Sequence, residues 1–111
     1  ADRLVYRSYM YADDLVDWLL TLADNANTTC PIYNVASDKE VEIRELANII
    51  SQIFNVNIQG GKFNNNFIED RYIPSIEKAK NELGLTNNYG LKESILRSIG
   101  RQGKTEKLQK R

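Results

Sequence analysis

Helical stripes alternating with short runs of strand formers leave this 111-residue chain few ways to fold. Leu15, Trp18, Leu19 and Leu22 fall at i, i+3, i+4 and i+7, a spacing that lines one side of an α-helix with apolar surface. The pattern recurs in "VEIRELANIISQIF", where Ile43, Leu46, Ile50 and Ile53 share a face. Val5, Tyr6, Tyr9 and Tyr11 suit a pleated, half-buried surface and predict a strand over Leu4–Tyr11. Asp13 or Asp14 is placed to cap the helix that follows, which should end near Asn25. Pro31 stops any helix, and Ile32, Tyr33 and Val35 of "IYNVAS" then suit a buried strand. "NVNIQ" predicts a further short strand and "GGKFNNNF" a surface loop. "IPSIEKAKNELGL" predicts a helix capped by Ser75, with Ile76, Ala79 and Leu83 inward and Gly84 as the left-handed C-cap. "LKESILRSI" predicts a last helix with Leu91, Ile95 and Ile99 inward. Strands alternating with helices make an α/β fold, here about four helices with two to three short strands.

The length suits one domain with a core of its own. Apolar residues at 41% and charged residues at 27% are near globular averages, so the chain is not of the disordered class. Net charge is zero, which argues against a protein built around a polyanion, nucleic acid included. The balance is uneven, because the last eleven residues, "RQGKTEKLQKR", hold five Lys or Arg against one Glu and leave the first hundred at about −4. Residues 1–100 therefore read as the folded unit and 101–111 as a basic tail without a core pattern, expected to be mobile. Cys30 is the only cysteine, so no internal disulfide is available and a cytoplasmic setting is the natural reading. With no histidine in the chain to activate it, Cys30 reads as a packed or incidental residue. No run approaches the ~20 apolar residues of a membrane helix.

Two arginines carry the chemistry on offer. Arg7 sits among strand formers, and a guanidinium cannot be deprotonated to escape burial. It either faces solvent, pairs with Asp13 or Asp14, or meets an anion. Arg71 follows Glu69 and Asp70, so a local ion pair is its simplest role. Asp13 and Asp14 look like paired carboxylates, yet directly before an amphipathic helix their commoner work is capping and offsetting the dipole.

The segments "RSYMYADDLVDWLL", "YNVASDKEVEIRELANII" and "DRYIPSIEKAKNELGL", taken in order from Arg7 to about Ile99, resemble the carboxy-terminal part of nucleotide-sugar epimerases and dehydratases, the extended short-chain dehydrogenase/reductases. Ala36 stands where that family commonly has Gly, Glu42 where a Ser or Thr cap is usual, and Leu85 to Asn88 where Trp and Pro often follow. The resemblance implies the last part of a Rossmann-type domain plus the small substrate-binding lobe, with the "YNV" strand in the nucleotide-binding sheet. It implies NAD or NADP in a full-length parent and none held by this portion, because no Gly-rich pyrophosphate turn is present. None of Tyr6, Tyr9, Tyr11, Tyr33, Tyr72 and Tyr89 has Lys four positions on, so the family's acid–base pair is missing as well, and no catalytic residue or metal ligand is assigned.

What the resemblance leaves to the chain is binding. It implies that Arg7 and Arg71, 64 residues apart, converge on the diphosphate of a nucleotide sugar, each with paired charge-assisted hydrogen bonds. A piece of such an enzyme would be inactive alone. It would leave apolar faces and strand edges to be covered by a missing amino-terminal Rossmann portion or by a second copy of itself. The alternative is a non-catalytic interaction module descended from such an enzyme.

Overall fold

The computed structural model describes residues 4–60 and 69–100 in full and the helical backbone of 101–109. In chain order the elements are β1 (Val5–Arg7), α1 (Ala12–Asp24), β2 (Val41–Glu42), α2 (Ile43–Phe54), β3 (Asp70–Arg71), α3 (Glu77–Leu83) and α4 (Leu91–Gln109). The strands form one sheet in the order β2-β1-β3, with β2 antiparallel and β3 parallel to β1. Among the described residues, four helices and three short strands give the α/β fold that the alternating pattern predicts.

The core sits where α1, α3 and the extended segment at 33–36 meet. Trp18, Ile76, Ala79 and Leu85 are buried there, with Met10, Leu22, Tyr33, Val35, Ala36 and Leu83 packed around them. Trp18 is 1% exposed, and its indole Nε1–H donates to the Thr86 carbonyl at 2.9 Å, so its one polar group is satisfied. The predicted stripe on α1 divides: Trp18 and Leu22 point inward, while Leu15 and Leu19 face out with Val16 and Leu20. A helix apolar on both sides belongs between two layers, and only one layer is formed by the described residues.

The ends of the helices show which local signals prevail. The N-cap position of α1 falls on Tyr11, which makes no side-chain cap bond, so neither Asp13 nor Asp14 occupies it. Both carboxylates lie in the first turn, where the helix dipole favours them, and Asp14 is engaged elsewhere. Asn25 closes α1 as predicted, its backbone N–H and its Nδ2 both donating to the Thr21 carbonyl at 3.1 and 2.8 Å. Glu42 caps α2, its carboxylate accepting from the Arg44 N–H at 2.9 Å. The N-cap position of α3 falls on Ile76 and not on the predicted Ser75, whose Oγ accepts from the Glu77 N–H at 3.4 Å from one residue further out. Gly84 ends α3 at φ 65°, and its N–H donates to the Lys80 carbonyl at 3.0 Å. Gly84→Ala should therefore cost about 1 kcal/mol through left-handed strain, read as a lower thermal midpoint.

Three strand expectations are corrected. The first strand covers only Val5–Arg7, because β2 and β3 each offer two residues to pair with it. Residues 32–36 form no strand: the Ile32 and Ala36 carbonyls are met by side chains, Lys78 Nζ donating at 2.7 Å and Asn87 Nδ2 at 3.0 Å, while the Asn34 side chain donates from Nδ2 to the Ser75 carbonyl at 3.1 Å. Ile32, expected to be buried, is 80% exposed. Residues 55–60 are also not a strand. Asn55 turns left-handed at φ 52°, and the Val56 N–H and carbonyl fold back on Ser51. Most of the predicted loop "GGKFNNNF" lies outside the described residues. The last helix does not stop at Gly100: its backbone stays helical through Gln109, in a stretch rich in Lys, Gln, Glu and Leu, which all favour helix. No helix among the described residues is long and apolar enough to cross a membrane.

Candidate anion-binding cleft

Side chains alternate across a strand, so Val5 and Arg7 share one face of β1 and Tyr6 occupies the other. The parallel register sets Val5 beside Asp70 and Tyr6 beside Arg71. Asp70 therefore joins the face of Arg7, and Arg71 joins the face of Tyr6. The hydrogen bonds follow this division. Arg7 NH2 donates to Asp70 Oδ2 at 3.0 Å and NH1 to the Tyr6 carbonyl at 2.8 Å, with longer NH1 contacts of 3.4 Å to Asp70 O and Oδ1. The Arg71 guanidinium carbon lies over the Tyr6 ring, 4.1 Å from its centre, with NH1 on Glu40 Oε2 and NH2 on Glu69 Oε2 at 3.1 Å. The fold thus brings the two arginines onto adjacent strands and sends their guanidinium groups to opposite sides of the sheet.

Arg7 opens onto a cleft of about 360 Å³ whose walls include Ser8, Asn34, Ser37 and Tyr72. Arg71 is not among its lining residues. Within the cleft one cation stands beside hydroxyl and amide groups, and that donor set suits an anion carrying further polar groups. Asp70 holds the guanidinium in a half-exposed ion pair, which fixes its direction and leaves a competitor that an incoming anion must share or displace. Asn34, Ser37, Ser8 and Tyr72 were not singled out from sequence. Each lies in or beside the segments "RSYMY", "YNVAS" and "DRYIPS", so adjacency to a motif was the only signal for them.

A second cavity, of about 400 Å³, lies between α2 and α4 above residues 9–12. Leu46, Ile50 and Phe54 face Leu91, Ile95 and Ile99 across it, and no charged side chain lines it. It offers hydroxyls but no cation to an anion.

The paired aspartates are not an acid–base couple. Asp14 is fully buried, and its carboxylate accepts from the backbone N–H groups of Asn88 (3.1 Å to each oxygen) and Tyr89 (3.2 Å). It anchors the turn that leads into α4. Neither of two backbone positions offers a pyrophosphate cradle: the donors just before α4 are taken by Asp14, and the glycine at the end of α3 serves a C-cap. Among the described residues no cluster of His, Cys, Asp or Glu could hold a metal ion.

No family model matches the chain, and no curated protein sequence does. Solved structures do resemble it. WbmF, an enzyme of Bordetella bronchiseptica solved with NAD+ and UDP, matches 93% of this chain and 30% of its own, at 24% identity and a TM-score of 0.70. The same enzyme solved with NADH gives 0.71 at 24% identity, over 93% of this chain and 31% of its own. RMD from Pseudomonas aeruginosa, solved with NADPH, matches over 85% of this chain and 33% of its own, at 23% identity and 0.66. The chain spans about a third of the length of these proteins, and its α/β fold is that of the corresponding part of them.

Proposed function

We propose that this chain is the nucleotide-diphosphate-sugar-binding portion of an NAD(P)-dependent epimerase, 4,6-dehydratase or decarboxylase of the extended short-chain dehydrogenase/reductase type. The observation that carries the reading is Arg7, held in a cleft with hydroxyl and amide groups around it. A diphosphate there would receive charge-assisted hydrogen bonds from the guanidinium, and Ser8, Asn34, Ser37 and Tyr72 are placed to meet ribose or sugar hydroxyls. UDP in the WbmF structure is ligand chemistry of this kind. The nicotinamide cofactor and the Tyr-x-x-x-Lys pair would be supplied by sequence outside this chain, which on this reading does not catalyse alone. The outward face of α1, with Leu15, Val16, Leu19 and Leu20, would then be covered by the rest of such an enzyme or by a second copy.

Titration with UDP tests the site. The chain should bind UDP weakly, and Arg7→Ala should weaken binding about tenfold or more, since a hydrogen bond to a charged group contributes about 1.5–3 kcal/mol. Equal affinity in wild type and variant would remove Arg7 from the site.

A further inference from the structure

We infer that Asp70 is a positioning residue that keeps its hold on Arg7 when the diphosphate binds, so that the anion is taken on the side edge of the guanidinium, by Nε–H and NH2 together; this rests on reading the cleft as the diphosphate site. A guanidinium has five N–H donors, two on each terminal nitrogen and one on Nε. A carboxylate that accepts from both terminal nitrogens sits on the edge between them, and Asp70 does so, with NH2 donating to Oδ2 at 3.0 Å and NH1 to Oδ1 at 3.4 Å. The other N–H of NH1 meets the Tyr6 carbonyl at 2.8 Å. What remains is the side edge, Nε–H and the second N–H of NH2, to which no described residue offers an acceptor. Two parallel N–H groups on one edge are the arrangement that grips a pair of phosphate oxygens.

The acceptors on the rest of the guanidinium belong to the sheet. The Asp70 N–H donates to the Leu4 carbonyl at 2.9 Å, and the Tyr6 carbonyl that takes NH1 also accepts the Tyr72 N–H at 3.1 Å. Turning the guanidinium to offer its end edge to a phosphate would break the bond to Tyr6 together with the ion pair. Docking on the side edge breaks neither. The Arg7 and Asp70 side chains are 34% and 40% exposed, so water screens the carboxylate from an incoming phosphate and the two anions can share one cation. A guanidinium already fixed in direction has less freedom to lose on binding, and that is what Asp70 contributes.

Sharing and exchange give different signals in a UDP titration followed by side-chain NMR of Arg7. With the pair shared, the Arg7 Nε–H proton should move downfield as UDP binds, while the NH1 and NH2 protons that face Asp70 keep their positions. Asp70→Ala should weaken UDP binding by about two- to fivefold, the scale of one partly exposed ion pair, and should shrink the Nε–H response. Asp70→Asn, which keeps one acceptor oxygen, should recover part of both. Exchange predicts the reverse: the protons facing Asp70 move, Nε–H does not, and Asp70→Ala binds UDP more tightly because a competitor is gone. Either result would overturn the assignment. The diphosphate reading fails by a different outcome. Equal UDP affinity in wild type and Arg7→Ala would retire that reading and this inference with it, whereas binding lost in Arg7→Ala but tightened in Asp70→Ala would keep the reading and refute the shared cation.

Discussion

Trp18→Ala should destabilise the fold by about 3–5 kcal/mol, the range for emptying a buried aromatic site. Trp18 is the largest fully buried side chain among the described residues, and it packs at the junction of α1, α3 and the 33–36 segment. Its removal also strands the Thr86 carbonyl, which accepts the indole N–H. The shift should appear in urea as a lower midpoint with an unchanged slope, because the surface exposed on unfolding is nearly the same. Trp18→Phe would retain most of the packing and lose the hydrogen bond, so a markedly smaller loss is expected from it. A Trp18→Ala variant as stable as wild type would mean that the core lies elsewhere.

The second large effect is at Asp14. Asp14→Ala should cost about 2–4 kcal/mol, since two backbone N–H groups would lose their partner in a buried site at roughly 1–3 kcal/mol each, partly offset by entering water. Asp14→Asn keeps one acceptor oxygen and should lie between alanine and wild type. Exchange of the Asn88 and Tyr89 amides should quicken by the largest factor in both variants, because these are the donors the carboxylate holds. If their exchange is unmoved while stability falls, the loss comes from the helix dipole of α1 and not from the anchored turn.

Asp14 also marks where the sequence stops being informative. A carboxylate in the first turn of a helix reads locally as a cap, and the groups it actually binds lie 74 and 75 positions away. Helices, by contrast, were legible because a 3.6-residue period and an end signal such as Gly84 are local. Burial was only partly legible. The Leu15, Trp18, Leu19, Leu22 spacing identifies α1, but Val16 and Leu20 widen its apolar surface, and the position of Trp18 against Ile76 and Ala79 decides which side turns inward.

The strand readings failed for a related reason. "IYNVAS" has the residues of a buried strand, yet a strand needs a neighbour to pair with, and here the Lys78 and Asn87 side chains meet the Ile32 and Ala36 carbonyls. Pairing register is the least local property of all. Whether Arg7 and Arg71 meet depends on Tyr6 standing opposite Arg71 in a two-residue strand, and a slip of one position would turn Arg71 to the other face. The motifs named both arginines, and only the register could separate their sides.

The central claim is that the cleft beside Arg7 takes a nucleotide diphosphate, and mapping backbone amide shifts during a UDP titration tests it most directly. Shifts should concentrate at residues 7–10, 34–37, 72 and 73, with the α2–α4 cavity unaffected and the whole set abolished in Arg7→Ala. Shifts centred on Leu46, Ile50 and Ile95, or the same shifts in Arg7→Ala as in wild type, would contradict it.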